Sequence, residues 1–281
     1  MNRKKSASLW PRRKFSGGPD RGEAATANNA LPSDRLVFGM HAAAAALANP
    51  ERKILAAYLT ENAEARLEEA LRARGASPVR SLPSELDNLA GAGTVHQGVV
   101  LHVSALEQPD LRQFLDSKGD SAAISLVMLD QVTDPHNIGA VVRSAAAFNV
   151  DALIVQSRHS PPLSGALAKA ASGALEHVPV IEAVNLARTL EELKDRGFRC
   201  VGFDSEGETQ FQPAVIAGEQ RIAFVFGSED KGLRRLVREG CDAVCALSAP
   251  GLIKSLNVSN AAAIVFYESA RRLTAQANSA K

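Results

Sequence analysis

The sequence predicts an α/β protein in two parts, on three observations. From Ile124 onward, short apolar runs of strand length alternate with amphipathic helical patterns. Residues 35–104 show a shorter and separate α/β pattern. Polar clusters follow several of the later apolar runs, where ligands of parallel sheets bind.

The order of elements follows from local pattern. Residues 1–34 lack periodicity and are rich in Gly, Pro, Ser and Asn, so they read as a disordered basic tail. Seven Lys/Arg against Asp20 and Glu23 give the first thirty residues a charge of +5, leaving −4 for the rest of a chain of net +1. A basic arm suits nucleic acid or serves only to solubilise. Residues 41–48 are Ala-rich and helical, 53–60 form a strand, and 62–75 form a charged helix ended by Gly75. Strands near 77–80 and 98–103 bracket "PSELDNLAG" and complete the module, and the polar stretch 105–123 reads as a linker.

Beyond it, strands are expected at 124–129, 152–156, 177–181, 198–203, 222–227 and 243–247. Helices are expected at 138–148, 163–173, 184–196, 231–238 and 258–273, with 274–281 as a short tail. Apolar strands alternating with helices indicate a parallel sheet covered on both faces.

Composition narrows the function. At 46% hydrophobic and 22% charged, the 281 residues match an ordinary soluble protein. No apolar run reaches membrane-spanning length, and the basic N-terminus has no apolar segment after it to form a secretory signal. Three cysteines and six histidines show no metal-binding spacing, so no metal is expected, and the thiols read as reduced cytosolic groups. GxxxxGK[ST], GxGxxG and GxSxG are all missing, which argues against P-loop, dinucleotide and hydrolase chemistry.

Three clusters carry the chemistry. After 124–129 comes "DQVTDPHNIGAVVR", in which Asn137 reads as a helix N-cap. Arg143 would lean back over Gly139, placing a guanidinium beside a helix start that favours anions. The alternative is a solvated surface arginine. After 222–227 comes "GSEDKGL", where Gly227 permits a turn or a close approach and Ser228, Glu229 and Asp230 open a helix. After 243–247 comes "SAPGLIKSLNVSNAAA", with four short polar groups at Ser255, Asn257, Ser259 and Asn260. One cap needs one of them. If extended, Ser255 and Asn257 face one side and Leu256 the other, so two polar groups face a site and Leu256 faces the apolar interior or a ligand ring.

In this order the clusters resemble the three motifs of the SpoU/TrmH family of RNA ribose 2′-O-methyltransferases, within the SPOUT superfamily. Asn137, Gly139 and Arg143 match the first motif; Gly227, Ser228, Glu229 and Gly232 match the second; Ser255 to Ser259 match the third. "FGMHAAAAALANPERKI" and "HQGVVLHV" resemble the substrate-binding module of the branch that methylates ribosomal-RNA guanosine, similar to an L30e/L7Ae-type fold. Leu247-Ser248-Ala249 stands where the family often has Ile-Pro-Met, and Lys254 where it often has Glu.

The resemblance implies a trefoil-knotted methyltransferase domain over 124–273. It implies a homodimer through the first-motif and last helices, with Ala261, Ala262 and Ala263 permitting close approach, and ribosomal RNA as substrate. It implies S-adenosylmethionine held by Phe226, Gly227, Leu247, Ser248, Gly251 and Leu256. Arg143 would act on the 2′-hydroxyl, with Asn137, Glu229, Ser255 and Asn257 orienting it, the RNA and the cofactor. Relatives that act on tRNA or confer antibiotic resistance, and a catalytically silent RNA-binding relative, remain the alternatives at this point.

Overall fold

The computed structural model describes residues 35–279 except 92, 120–122, 159, 213–215, 217–218, 248 and 253–254. The expected basic tail therefore lies outside the described residues.

Thr60 starts the second helix because its hydroxyl accepts from the Ala63 amide, and Gly75 ends it in the left-handed conformation at φ +65°. That helix, α2 (Glu61–Arg74), packs with α1 (Met40–Ala48) and α3 (Pro83–Ala90) around four strands. These are β1 (Leu36–Phe38), β2 (Ile54–Leu59), β3 (Val79–Arg80) and β4 (Val99–Val103), ordered β1-β4-β2-β3. Only the β2–β3 pair is parallel.

The second sheet has β5 (Ile124–Asp130), β6 (Ala152–Gln156), β7 (Val180–Ala183), β8 (Arg199–Phe203), β9 (Thr209–Gln210), β10 (Arg221–Gly227) and β11 (Ala243–Ala246). Their order is β7-β6-β5-β10-β8-β11-β9, with every pair parallel. The period-2 pattern sorts its side chains. Leu126, Met128, Ala223 and Val225 bury against α4 (Leu111–Lys118), α7 (Leu186–Asp195) and α8 (Arg235–Gly240). Val127, Leu129, Phe224 and Phe226 share the other core with α5 (Pro135–Ala147), α6 (Gly165–Ala171) and α9 (Val258–Ser279).

Several expectations change. The stretch expected as a linker contains α4, whose Phe114 and Leu115 are buried under the sheet. The strand expected at 177–181 begins at Val180, because a 3₁₀ turn over Ala174–Glu176 and the following loop take up its first residues. α9 continues to Ser279, past the expected stop at 273. β9 is too short to have signalled itself. The two modules also share one continuous core: Val37, Ala43, Leu59 and Leu101 belong to the same cluster as Val141, Leu167 and Phe224.

Among the described residues no helix is long and apolar enough to cross a membrane, and no group of three or more potential ligands could hold a metal. Burial pushes the Cys200 and Cys241 thiols up to about 12, so neither is ionised near neutrality. Both are expected to resist iodoacetamide at pH 8 until the chain is unfolded, which a timed labelling experiment followed by mass spectrometry checks.

Candidate active site

The carboxyl ends of β8, β10 and β11 open onto a cavity. Its apolar wall is Phe203, Phe226, Leu247, Leu256, Val258 and Ala261; its polar rim is Asp204, Ser205, Ser228, Glu229 and Ser255. Phe203 and Phe226 stack at 4.8 Å between ring centroids, which stiffens that wall.

The loop after β10 is held in a tight reverse turn. The Gly232 amide donates to the Ser228 carbonyl at 2.9 Å. A Cβ on Gly227 would fall 2.1 Å from the Gly232 carbonyl carbon, so the chain's own return path requires glycine there. The helix expected from Ser228 onward does not form; α8 begins at Arg235. Gly232 has φ +61°, and its missing Cβ leaves room for Asp204.

Two acids fasten this loop. Asp204 follows β8 and accepts from the Leu233 amide at 3.0 Å and the Glu206 amide at 2.9 Å. Asp130, fully buried at the end of β5, accepts from the Arg234 amide at 2.9 Å and from Arg234 Nε at 2.7 Å. Sequence reading missed Asp130, Asp204 and Phe203. The available signal was an acid at or just after the last residue of a parallel strand. Asp130→Ala is expected to lower stability by about 1–3 kcal/mol, because it leaves the Arg234 groups without their acceptor; urea unfolding reads this directly.

Beside the cavity sits a polar cluster. Asn137 Nδ2 donates to Glu229 Oε1 at 2.9 Å. Asn257 Nδ2 donates to the same oxygen at 2.6 Å and to Asn137 Oδ1 at 2.9 Å. The Val258 amide also points at Glu229 Oε1, at 3.4 Å. Asn257 Oδ1 accepts from the Ser259 amide at 2.9 Å and from its hydroxyl at 2.5 Å. One side chain thus caps α9 with its oxygen and reaches the site with its nitrogen.

The expected cap at Asn137 is corrected: Asp134 caps α5 by accepting from the His136 amide at 3.0 Å. This leaves the Asn137 amide group free for Glu229 and Asn257. Gly139 is not room for Arg143 either. It is buried against α6, where a Cβ would meet Ala170 Cβ and the Leu167 carbonyl at 2.6 Å.

The structure brings Asn137, Glu229 and Asn257 together and places Ser255, Leu256, Phe226, Gly227 and Leu247 around the cavity. Ser255 and Leu256 both line it, so of the two surroundings expected for Leu256 it has the cavity and not the apolar interior. Gly251 is exposed and does not line the cavity, and Ser248 lies outside the described residues. Arg143 is exposed on α5, lies outside the cavity lining, and makes no hydrogen bond or ion pair among the described residues. Ala262 is fully buried toward the core.

A second cavity adjoins the first across Ser228. Leu129 and Val132 line it together with Gln131, Thr133, Gln156 and Ser160, and it carries two cations, Arg158 and Lys231, beside one acid, Asp230.

Residues 125–267 match the SpoU rRNA Methylase family, and residues 36–109 match the RNA 2′-O ribose methyltransferase substrate binding family. The 23S rRNA (guanosine-2′-O-)-methyltransferase RlmB of Ralstonia nicotianae is 39% identical over 246 residues, 86% of this chain and 97% of that protein. A protein of Staphylococcus haemolyticus, described as a TrmH family tRNA/rRNA methyltransferase, is 40% identical over 196 residues, 69% of this chain and 77% of its own length. Among solved structures, the SpoU methyltransferase AviRb from Streptomyces viridochromogenes, in complex with AdoMet, has a TM-score of 0.68 at 22% identity, covering 85% of this chain and 90% of its own. That last likeness concerns the fold. With both modules matched, the chain belongs to the SpoU rRNA methylase family, the S-adenosylmethionine-dependent RNA 2′-O-ribose methyltransferases.

Proposed function

We propose that the protein methylates the ribose 2′-hydroxyl of a guanosine in large-subunit ribosomal RNA. The observation that carries this reading is the cluster of Asn137, Glu229 and Asn257, which reaches the rim of the cavity through Glu229. The similarity to RlmB over both modules supports the choice of RNA.

The cavity suits S-adenosylmethionine on chemical grounds. Phe203, Phe226, Leu247 and Leu256 offer an apolar wall for a base, and Asp204 and Glu229 offer carboxylates to a cationic ligand. When bound, the cofactor supplies a methyl group on a sulfonium. Glu229, already accepting from two asparagines, holds the rim in one geometry. Asn137 and Asn257 orient the ribose, and Ser255 faces the cofactor. A guanidinium offers five donors and no acceptor, so it is built to hold anions and not to take up a proton. We therefore assign Arg143 to anchoring a phosphate and stabilising charge that develops on the 2′-oxygen as its proton passes to solvent water. The second cavity, with Arg158 and Lys231, is the adjoining entry for the RNA backbone.

We further propose a homodimer through α5 and α9, supported by the exposed Ile264 and Tyr267 on α9 and by Phe148, whose ring meets Tyr267 edge-on at 6.0 Å. Tyr267→Glu is expected to shift the protein toward monomer in sedimentation equilibrium. The family also implies that the methyltransferase domain over 124–273 is threaded as a trefoil knot, a rare exception among folds.

The direct test is incubation with labelled S-adenosylmethionine and, separately, unmodified large-subunit rRNA and total tRNA, with the site mapped by primer extension at low nucleotide concentration. Label at one rRNA guanosine is the expected result. Label only in tRNA would overturn the target, and label in neither, with cofactor still bound, would overturn the activity.

A further inference from the structure

The substrate module and the methyltransferase module meet at a buried ion pair. Arg52, in the turn after α1, is 3% exposed, and the side chain of Glu176, at the end of the 3₁₀ turn after α6, is 4% exposed. Arg52 Nε lies 3.4 Å from Glu176 Oε1, and Asn49 Nδ2 donates to Glu176 Oε2 at 2.7 Å. Both carboxylate oxygens are thus engaged by the other module. Arg52 is less well served: Nε is beyond good hydrogen-bond geometry and Nη1 is buried without a partner. Burial pushes the guanidinium below its ordinary pKa, and Glu176 opposes that shift.

Such a pair is a poor device for stability, because desolvating two charges offsets most of their attraction. Its better-attested use is to fix register between packed parts.

The surroundings fit that use. Ser172 and Gly173 both adopt positive φ, +51° and +93°, to turn the chain so that Glu176 meets α1. Holding a non-glycine residue there costs free energy and persists only where packing over-determines it. A Cβ on Gly173 would lie 2.5 Å from Ala45 Cβ and 3.2 Å from the His41 carbonyl, so α1 sits directly on this turn. The connector is tied to the same place, since the Ser104 amide donates to the Lys53 carbonyl at 2.9 Å and the Lys53 amide to Ser104 Oγ at 3.2 Å. On its other side α6 packs against Gly139 of α5, the helix that carries Asn137 and Arg143. An unbroken path of contacts leads from the substrate module, through Arg52, Glu176 and α6, to the helix of the site.

We propose that Asn49, Arg52 and Glu176 form a clasp that sets the register of the RNA-binding module against the methyl-transfer site, making Arg52 and Glu176 positioning residues for the reaction. The effect on transfer rests on the function proposed above; the docking itself does not. A module held in one orientation presents its RNA to the site without a search, and small misplacements far from the chemistry are costly in rate.

The test uses the full chain with Glu68→Cys on α2 and Glu191→Cys on α7, both exposed, each carrying a nitroxide. Of the three native thiols, Cys200 and Cys241 are held at about 12 and Cys245 is buried, so they stay unlabelled at neutral pH, and a chain without the two new cysteines gives the background. Pulsed electron resonance then reads the distance between the modules. One narrow distribution is expected in this parent. Arg52→Met, which strands Glu176, and Gly173→Ala, which crowds Ala45 without touching the pair, are each expected to broaden it. Arg52→Met/Glu176→Met, an apolar pair of similar size, is expected to restore the narrow distribution.

In parallel, kcat/KM for an rRNA fragment should fall by about tenfold to a hundredfold in each single variant and recover in the double variant, with the Kd for S-adenosylmethionine unchanged throughout. A broad distribution in the parent, or a narrow one in Arg52→Met, overturns the clasp. A loss of kcat/KM that the apolar pair does not rescue overturns the positioning role. If the parent methylates no RNA, the proposed function fails, and the distances still decide the docking.

Discussion

Arg143→Ala is expected to lower turnover by about 10²–10³-fold or more, the scale of removing one donor from a developing oxyanion, while S-adenosylmethionine binds as before. Two structural facts separate these effects. Arg143 does not line the cavity, so the cofactor loses no contact. It also has no hydrogen bond or ion pair among the described residues and is exposed, so its removal leaves no buried partner stranded. Arg143→Lys keeps the charge but loses the planar fork, and partial activity is expected from it. Single-turnover kinetics beside calorimetric cofactor titration separates the outcomes. Near-normal turnover in the alanine variant would sink the assignment, and a matching loss of cofactor affinity would place Arg143 in the wrong site.

Gly227→Ala, unlike Arg143→Ala, is expected to weaken cofactor binding, raising its Kd by about tenfold to a hundredfold. The added methyl would sit 2.1 Å from the Gly232 carbonyl carbon and 2.5 Å from the Leu233 amide nitrogen. Both are backbone atoms, so no side chain can swing away. The loop must shift instead, at about 1–3 kcal/mol for overpacking. That shift would carry Ser228 and Glu229 with it, since the reverse turn joins Ser228 to Gly232. Because Glu229 Oε1 accepts from both asparagines, turnover at saturating cofactor should fall too. Unchanged cofactor affinity in a folded Gly227→Ala protein would show that this loop does not shape the cofactor cavity.

The two variants probe opposite ends of one arrangement. α5 supplies Asn137 to the rim and Arg143 farther along, six residues or about 9 Å of helix rise away. The loop after β10 supplies Glu229, and the segment before α9 supplies Asn257. Each lies just beyond the carboxyl end of its strand, β5, β10 or β11. This is where a parallel sheet exposes unpaired backbone and helix starts, and so where short polar side chains have work to do beyond capping.

The sequence by itself determined the alternation of strands and helices, the parallel sheet, the separate first module and the three polar clusters with their order. These are local properties. Side-chain periodicity reports burial one strand or helix at a time, and family motifs are short runs of residue types. Only the tertiary structure decided what the clusters do to one another. Asn137 meets Glu229 at a separation of 92 residues and Asn257 at 120, and those meetings depend on β10 lying between β5 and β8. Packing turned Gly139 from an expected clearance for Arg143 into a point where helix meets helix, and it made Gly227, expected at a turn or a ligand approach, a point where backbone meets backbone. It gave Asp130 and Asp204 their partners in the loop before α8. It also merged two modules, legible as separate stretches, into one core joined at Arg52 and Glu176. Pairing over such distances is set by which strands are neighbours, and no local pattern of residues encodes that.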